Sequence, residues 1–121
     1  MREAKLGLCV FLVMLTSCST SYGRKGVAGG YTDRQIDSNT FIVHYAANQY
    51  TAPDRLEAYT MYRCAEITLE QGCDYFLLID PTYAKHAVRV TIKVHKGAQP
   101  TGNPAAYDAR DVKEHLDSLV Q

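Results

Sequence analysis

Cysteine and histidine are the residues of this chain with the most chemistry to offer, and their spacing decides which chemistry is open to them. Cys64 and Cys73 lack the C-x₂-C spacing of zinc or redox sites. His44, His86 and His95 fall in or beside expected strands, and His115 falls in the last expected helix. No two of them stand at an H-x₃-H spacing and no His-Glu-x-x-His occurs, so a metal site would have to assemble from distant residues. Histidines on a solvent face are the simpler reading. Gly26, Gly29 and Gly30 are not followed by Gly-Lys-Ser/Thr, which removes a phosphate loop, and no G-x-S-x-G elbow is present. The expectation is therefore of no catalytic residues, no metal and no cofactor: not an enzyme. Arg63 and Glu66 stand three apart on an expected helix and read as a buried or half-buried ion pair, or as a helix-to-sheet hydrogen bond. The alternative is a polar recognition patch that includes Asp80 and Tyr83. The possible binding surface is Asp80, Tyr83 and His86, in the loop expected after a central strand. Tyrosine, present nine times, suits binding surfaces because it joins a rigid apolar body to a polar tip. Tyr59, Tyr62 and Tyr75 nevertheless read as core or core-edge residues.

Cys18 has a different chemistry. Arg2 and Lys5 precede an apolar run from Leu6 to Leu15, and Leu15-Thr16-Ser17-Cys18 follows. The run is about half of the roughly 20 residues that a membrane-spanning helix needs. It has the length of a secretory signal, but Leu15 would occupy the −3 position of an ordinary cleavage site, where a small residue belongs. Leu-small-small-Cys instead looks like the lipobox of a bacterial lipoprotein signal. That resemblance implies cleavage before Cys18, diacylation of its sulfur and acylation of its new amino group. Each buried CH₂ contributes ~0.8 kcal/mol, so two or three chains anchor stably where one does not. Ser19, in the position where Asp tends to retain lipoproteins in the inner membrane, is consistent with sorting to the outer membrane.

The elements that position these residues follow from periodicity and turn chemistry. Residues 1–17 read as signal peptide, 18–30 as a lipid-anchored, Gly-rich flexible tether, and 31–121 as one small domain. Tyr31–Ile36 and Thr40–Ala46 form an expected hairpin around Asp37-Ser38-Asn39, with Phe41, Val43 and Tyr45 on the core face. A helix is expected from Thr51-Ala52-Pro53-Asp54, with Thr51 as cap, to a stop at Gly72. Its length puts Cys64 and Cys73 about 11 Å apart along the axis. A disulfide needs Cα atoms within about 7 Å, which argues against an intramolecular bridge. Tyr75–Ile79 is a continuous apolar run, expected as a central, doubly covered strand that ends at Asp80-Pro81. Val88, Val90, Ile92 and Val94 alternate with polar residues as a one-sided strand. Asn103-Pro104 is expected to start a second helix bearing Ala109, Val112, Leu116 and Leu119. The order β-β-α-β-β-α predicts an α+β two-layer domain with a mainly antiparallel sheet and helices on one face. Of 13 basic and 13 acidic residues, the signal segment takes Arg2, Lys5 and Glu3, leaving a net charge of about −1. No basic field to hold DNA, RNA or anionic lipid is expected from that balance.

Gly29-Gly30-Tyr31-Thr32-Asp33, Phe41-Ile42-Val43, Asn48-Gln49-Tyr50-Thr51, Arg63-Cys64-Ala65-Glu66-Ile67-Thr68 and Gly72-Cys73-Asp74-Tyr75-Phe76 together resemble the small proteobacterial lipoproteins of the CC0125/CC1285 family. Ala106-Tyr107-Asp108-Ala109 is similar as well. One departure is Ala47-Asn48, where members carry Gly-Asn, which argues against a positive-φ turn there. The resemblance implies a lipoprotein and carries no catalytic residues. The expectation is an outer-membrane-anchored periplasmic protein acting as a structural or protein-interaction module of the cell envelope. Its partners would be the membrane, through the lipid, and an envelope protein or the cell wall, with no nucleic acid. The alternative is a small-ligand or metal-sensing envelope lipoprotein using the Asp80–His86 loop.

Overall fold

The computed structural model describes residues 21–120. The expected signal peptide, the Cys18 acylation site and the Ser19 sorting position lie outside the described residues. The elements run β1 (Gly29–Asp37), β2 (Thr40–Ala47), α1 (Pro53–Glu70), β3 (Tyr75–Ala84), β4 (Ala87–His95), β5 (Ala106–Asp108) and α2 (Ala109–Val120). The strands make one sheet in the order β1-β2-β4-β3-β5, antiparallel at every junction. The fold is α+β, as the order of periodicities predicts.

Alternation decides which face of the sheet is core. Phe41, Val43 and Tyr45 of β2 and Val88, Val90, Ile92 and Val94 of β4 are buried on one side. The helix α1 lies over them through Leu56, Tyr59, Cys64, Ala65 and Ile67. Each large apolar side chain fully buried here contributes about 1.5–3 kcal/mol. The second helix packs beside α1 and against β5, with Ala109 buried and Val112 half-buried. Thr60 and Thr68 sit on the buried face of α1 because their hydroxyls donate to the Leu56 and Cys64 carbonyls, at 2.8 Å each.

The end of α1 is fixed by Gly72, at φ +72°, in a Schellman arrangement. Gly72 N–H donates to the Leu69 carbonyl at 3.0 Å and Cys73 N–H to the Thr68 carbonyl at 2.9 Å. Its start differs from the expectation. The cap position is Ala52, with Pro53 in the first turn, and the Thr51 hydroxyl bonds Asn48 Oδ1 at 3.2 Å. Pro53 supplies the preset φ and gives up no needed N–H, so the helix starts without a side-chain cap.

Three further expectations are corrected. The strand β3 does not stop at Asp80-Pro81 but continues to Ala84 through a bulge between Ile79 and Thr82, with Asp80 at φ +47°. Among the described residues only β4 pairs with this half of β3, since β5 joins it at Tyr75–Leu77, so Pro81 sits on an edge unpaired by them, where no N–H is missed. Nor is β3 covered on both sides: Phe76 is its one buried residue, and β4 is the middle strand. Finally, the second helix begins at Ala109, after the short edge strand β5, and not at Asn103-Pro104. Asp108 Oδ1 accepts the Asp111 N–H at 3.0 Å, which is the bond of an N-cap.

Candidate functional site

The residues expected to form a flexible tether are docked from Ser21 onward, and the domain begins earlier than Tyr31. Tyr22 lies among four other tyrosines, with ring centroids 5.6 Å from Tyr31, 6.0 Å from Tyr45, 5.7 Å from Tyr59 and 5.1 Å from Tyr62. Its hydroxyl donates to Glu66 Oε1. The Tyr45 hydroxyl accepts the Gly23 N–H at 3.0 Å and donates to the Ser21 carbonyl at 3.3 Å. Backbone bonds from Lys25 N–H to the Tyr31 carbonyl and from Tyr31 N–H to the Gly23 carbonyl, both 2.9 Å, complete the clamp. Gly30 is what lets the segment pass. A Cβ there would sit 2.4 Å from the Arg24 carbonyl oxygen, and its φ is +138°. Burial, together with the Glu66 carboxylate, raises the Tyr22 pKa, and burial pushes Tyr45 up to about 12, so both act as neutral hydroxyls.

Arg63 is the charge at the centre of this cluster and is 5% exposed. Its Nε donates to Asp33 Oδ2 at 2.8 Å, and its Nη1 lies 3.5 Å from Glu66 and 3.2 Å from Glu70. The guanidinium lies over the Tyr31 ring, 4.4 Å from its centroid. Burial works against the charge, but the hydrogen bond and the negative charge of Asp33 outweigh it and raise the Arg63 pKa. Arg63 and Glu66 are thus both an ion pair and part of a helix-to-sheet link.

Among the described residues, no helix is packed on the opposite face of the sheet. Register places Thr32, His44, Arg89 and Thr82 in one row across β1, β2, β4 and β3, and Arg34, Ile42, Thr91 and Ile79 in the next. Thr32, Asp33, Arg34, Ile42, His44 and Arg89 line a depression of about 440 Å³ there. Among the described residues, neither Arg34 nor Arg89 forms a salt bridge. Asp33, the one carboxylate of the lining, is bonded to Arg63. The His44 pKa is lowered, first by burial and then by the charges of Lys25 and Arg89. Overall neutrality hides this segregation. The two helices hold seven acidic and four basic residues, which leaves Arg34, Arg89 and Lys93 together on the open face. The near-neutral balance expected for the domain thus coexists with a local group of three cations.

Asp80, Tyr83 and His86 share the β3–β4 hairpin arm but are not brought together. Asp80 is exposed in the bulge and Tyr83 is 56% exposed on the helix side of the sheet. His86 is half-buried in the turn, its carbonyl accepting the Ala47 N–H at 2.8 Å. No hydrogen bond or ion pair joins the three among the described residues, and the expected loop is mostly strand. Cys64 and Cys73 are both free thiols, the first fully buried, with its pKa raised by burial. Among the described residues, no three His, Cys, Asp or Glu side chains gather closely enough to hold a metal ion. Tyr59 and Tyr62 are core residues, and Tyr75 stacks on His95 on the open face with centroids 5.2 Å apart. Sequence reasoning missed Tyr22, Arg34 and the His44–Arg89 pairing. Alternation does put His44 and Arg89 off the core face, but only register shows that they are opposite one another.

Comparison of the chain with known proteins gives no matching family model, no matching curated protein and no matching solved structure.

Proposed function

We propose that this chain is an outer-membrane-anchored periplasmic lipoprotein that acts as a structural or protein-interaction module of the cell envelope and not as an enzyme. Leu15-Thr16-Ser17-Cys18 and the resemblance to the CC0125/CC1285 lipoproteins support the anchor. The observation that carries the reading is the clamp on Ser21–Lys25, which starts three residues after Cys18. A domain held so close to its acylation site stands at a membrane surface, with one sheet face that no helix covers among the described residues. The test is in-cell crosslinking of the tagged protein with Cys18→Ser as control, together with mass spectrometry of the Cys18 peptide. An acylated Cys18 and one dominant partner that depends on it are expected. An unmodified Cys18, or capture no better than the control, would sink the reading.

A second reading, a small-ligand or metal-sensing lipoprotein, draws on His86, whose Nδ1 is buried without a hydrogen-bond partner among the described residues. It predicts a ligand-dependent melting shift that His86→Ala abolishes.

A further inference from the structure

We propose that the depression between Arg34, His44 and Arg89 holds the phosphate of an anionic lipid headgroup, on the membrane in which Cys18 is anchored. The source of the phosphate rests on the lipoprotein reading, whereas the anion site rests on the geometry alone.

The chemistry of the lining points to an anion. Arg34 and Arg89 bring guanidinium groups that make no salt bridge among the described residues, and Thr32 brings a hydroxyl donor. Guanidinium forks match the oxygens of phosphate in geometry as well as charge. Lys25, held beside this end of the sheet by its bond to Tyr31, adds a third positive charge that His44 feels. Asp33 does not cancel them, because its Oδ2 is 2.8 Å from Arg63 Nε. Arg34 and Arg89 reach one depression from β1 and β4, and a bound anion would be attracted by both. A depression of about 440 Å³ has room for a phosphodiester headgroup.

The place of the depression points to the membrane. Three residue steps separate Cys18 from Ser21, a reach of at most about 11 Å. The Tyr45 hydroxyl holds the Ser21 carbonyl from the helix side. His44, the neighbour of Tyr45 in β2, points to the other face and into the depression. The anion site and the first clamped residue after the anchor therefore meet the same stretch of β2 from opposite faces of the sheet. An anchored domain would lie against headgroups on the face where Arg34 and Arg89 line one depression.

The experiment is co-sedimentation of residues 18–121 carrying Cys18→Ser, which lack both the apolar signal segment and acyl chains, with vesicles of phosphatidylcholine alone or mixed with phosphatidylglycerol. Binding only to the phosphatidylglycerol vesicles is expected. Arg34→Gln combined with Arg89→Gln should weaken it about 30-fold, at roughly a factor of five for each cation near an anionic surface. Arg55→Gln with Lys113→Gln, the same charge change on the helix layer, should leave it within about twofold. Equal losses in the two double variants would overturn the site and reduce the effect to net charge. Competition by soluble glycerol phosphate at the same phosphate concentration would overturn the lipid as the source. Mass spectrometry of wild-type Cys18 keeps the outcomes apart, since an unacylated Cys18 defeats the lipoprotein reading while the vesicle result still decides the anion site.

Discussion

Arg63 Nε donates to Asp33 Oδ2 at 2.8 Å, and that bond ties the middle of α1 to the edge strand β1. Removing one partner of a buried pair strands the other, at a cost of about 3–5 kcal/mol. Arg63→Met leaves Asp33 and Glu66 without the cation they share and should lose about 3 kcal/mol in urea unfolding. Glu70 is more than half exposed at its side chain, so Glu70→Gln should change stability by less than about 1 kcal/mol. Equal losses in the two variants would show that the Asp33 bond is not the principal link.

The docked segment carries its own prediction. Arg24 and Lys25 are exposed, yet their backbone is held by the clamp. Gly30→Ala, whose Cβ collides with the Arg24 carbonyl, and Tyr22→Ala, which empties the tyrosine cluster, should both release the segment. Tryptic cleavage at Arg24 and Lys25 should then run well ahead of cleavage in β2 or α1. Wild-type rates in both variants would mean that the segment is held by something else.

His44 gives a pH dependence with a definite sign. Its pKa lies below the ordinary 6.5 because of burial and the charges of Lys25 and Arg89. The unfolded chain therefore takes up the proton first as pH falls, and the folded state loses stability between 6.5 and the lowered value. Above 6.5 the contribution is fully present. NMR titration of the ring should show a midpoint below 6.5 that rises in Arg89→Gln. A midpoint unmoved by that change would remove Arg89 from the environment of His44.

The two thiols should separate by reactivity. Cys64 is fully buried with its pKa raised, and Cys73 is half-buried just beyond the helix end. Iodoacetamide should label Cys73 in the native protein and Cys64 only after denaturation. Labelling of both at one rate would indicate an opening of α1 from the sheet.

Capping is tested most directly at Asp108. Asp108→Ala removes the acceptor for the Asp111 N–H and should cost about 1 kcal/mol, read as a lower urea midpoint. Asp108→Asn, which keeps the acceptor, should recover most of the loss.

The chain by itself determined what depends on local periodicity and on the backbone preferences of single residues. Val88 to Val94 alternate because a strand has a period of two, and Gly72 ends α1 because a left-handed residue is needed there. The choice of Phe41, Val43 and Tyr45 as the core face follows from the same logic and holds. Only the tertiary structure decided the rest. Three residues, Ala106–Asp108, are too short to show a period, and they are a strand because β3 offers them an edge. Pro81 reads as a stop until pairing shows that its side of β3 is free. Ser21 to Gly30 read as linker because no residue there is a core former in its own right apart from Tyr22 and Val27. What orders them is a surface made by Tyr31, Tyr45, Tyr59 and Tyr62, which come from three separate elements. Likewise Arg34, His44 and Arg89 lie on three strands, and the register that sets them around one depression is a property of long-range pairing that no local window contains.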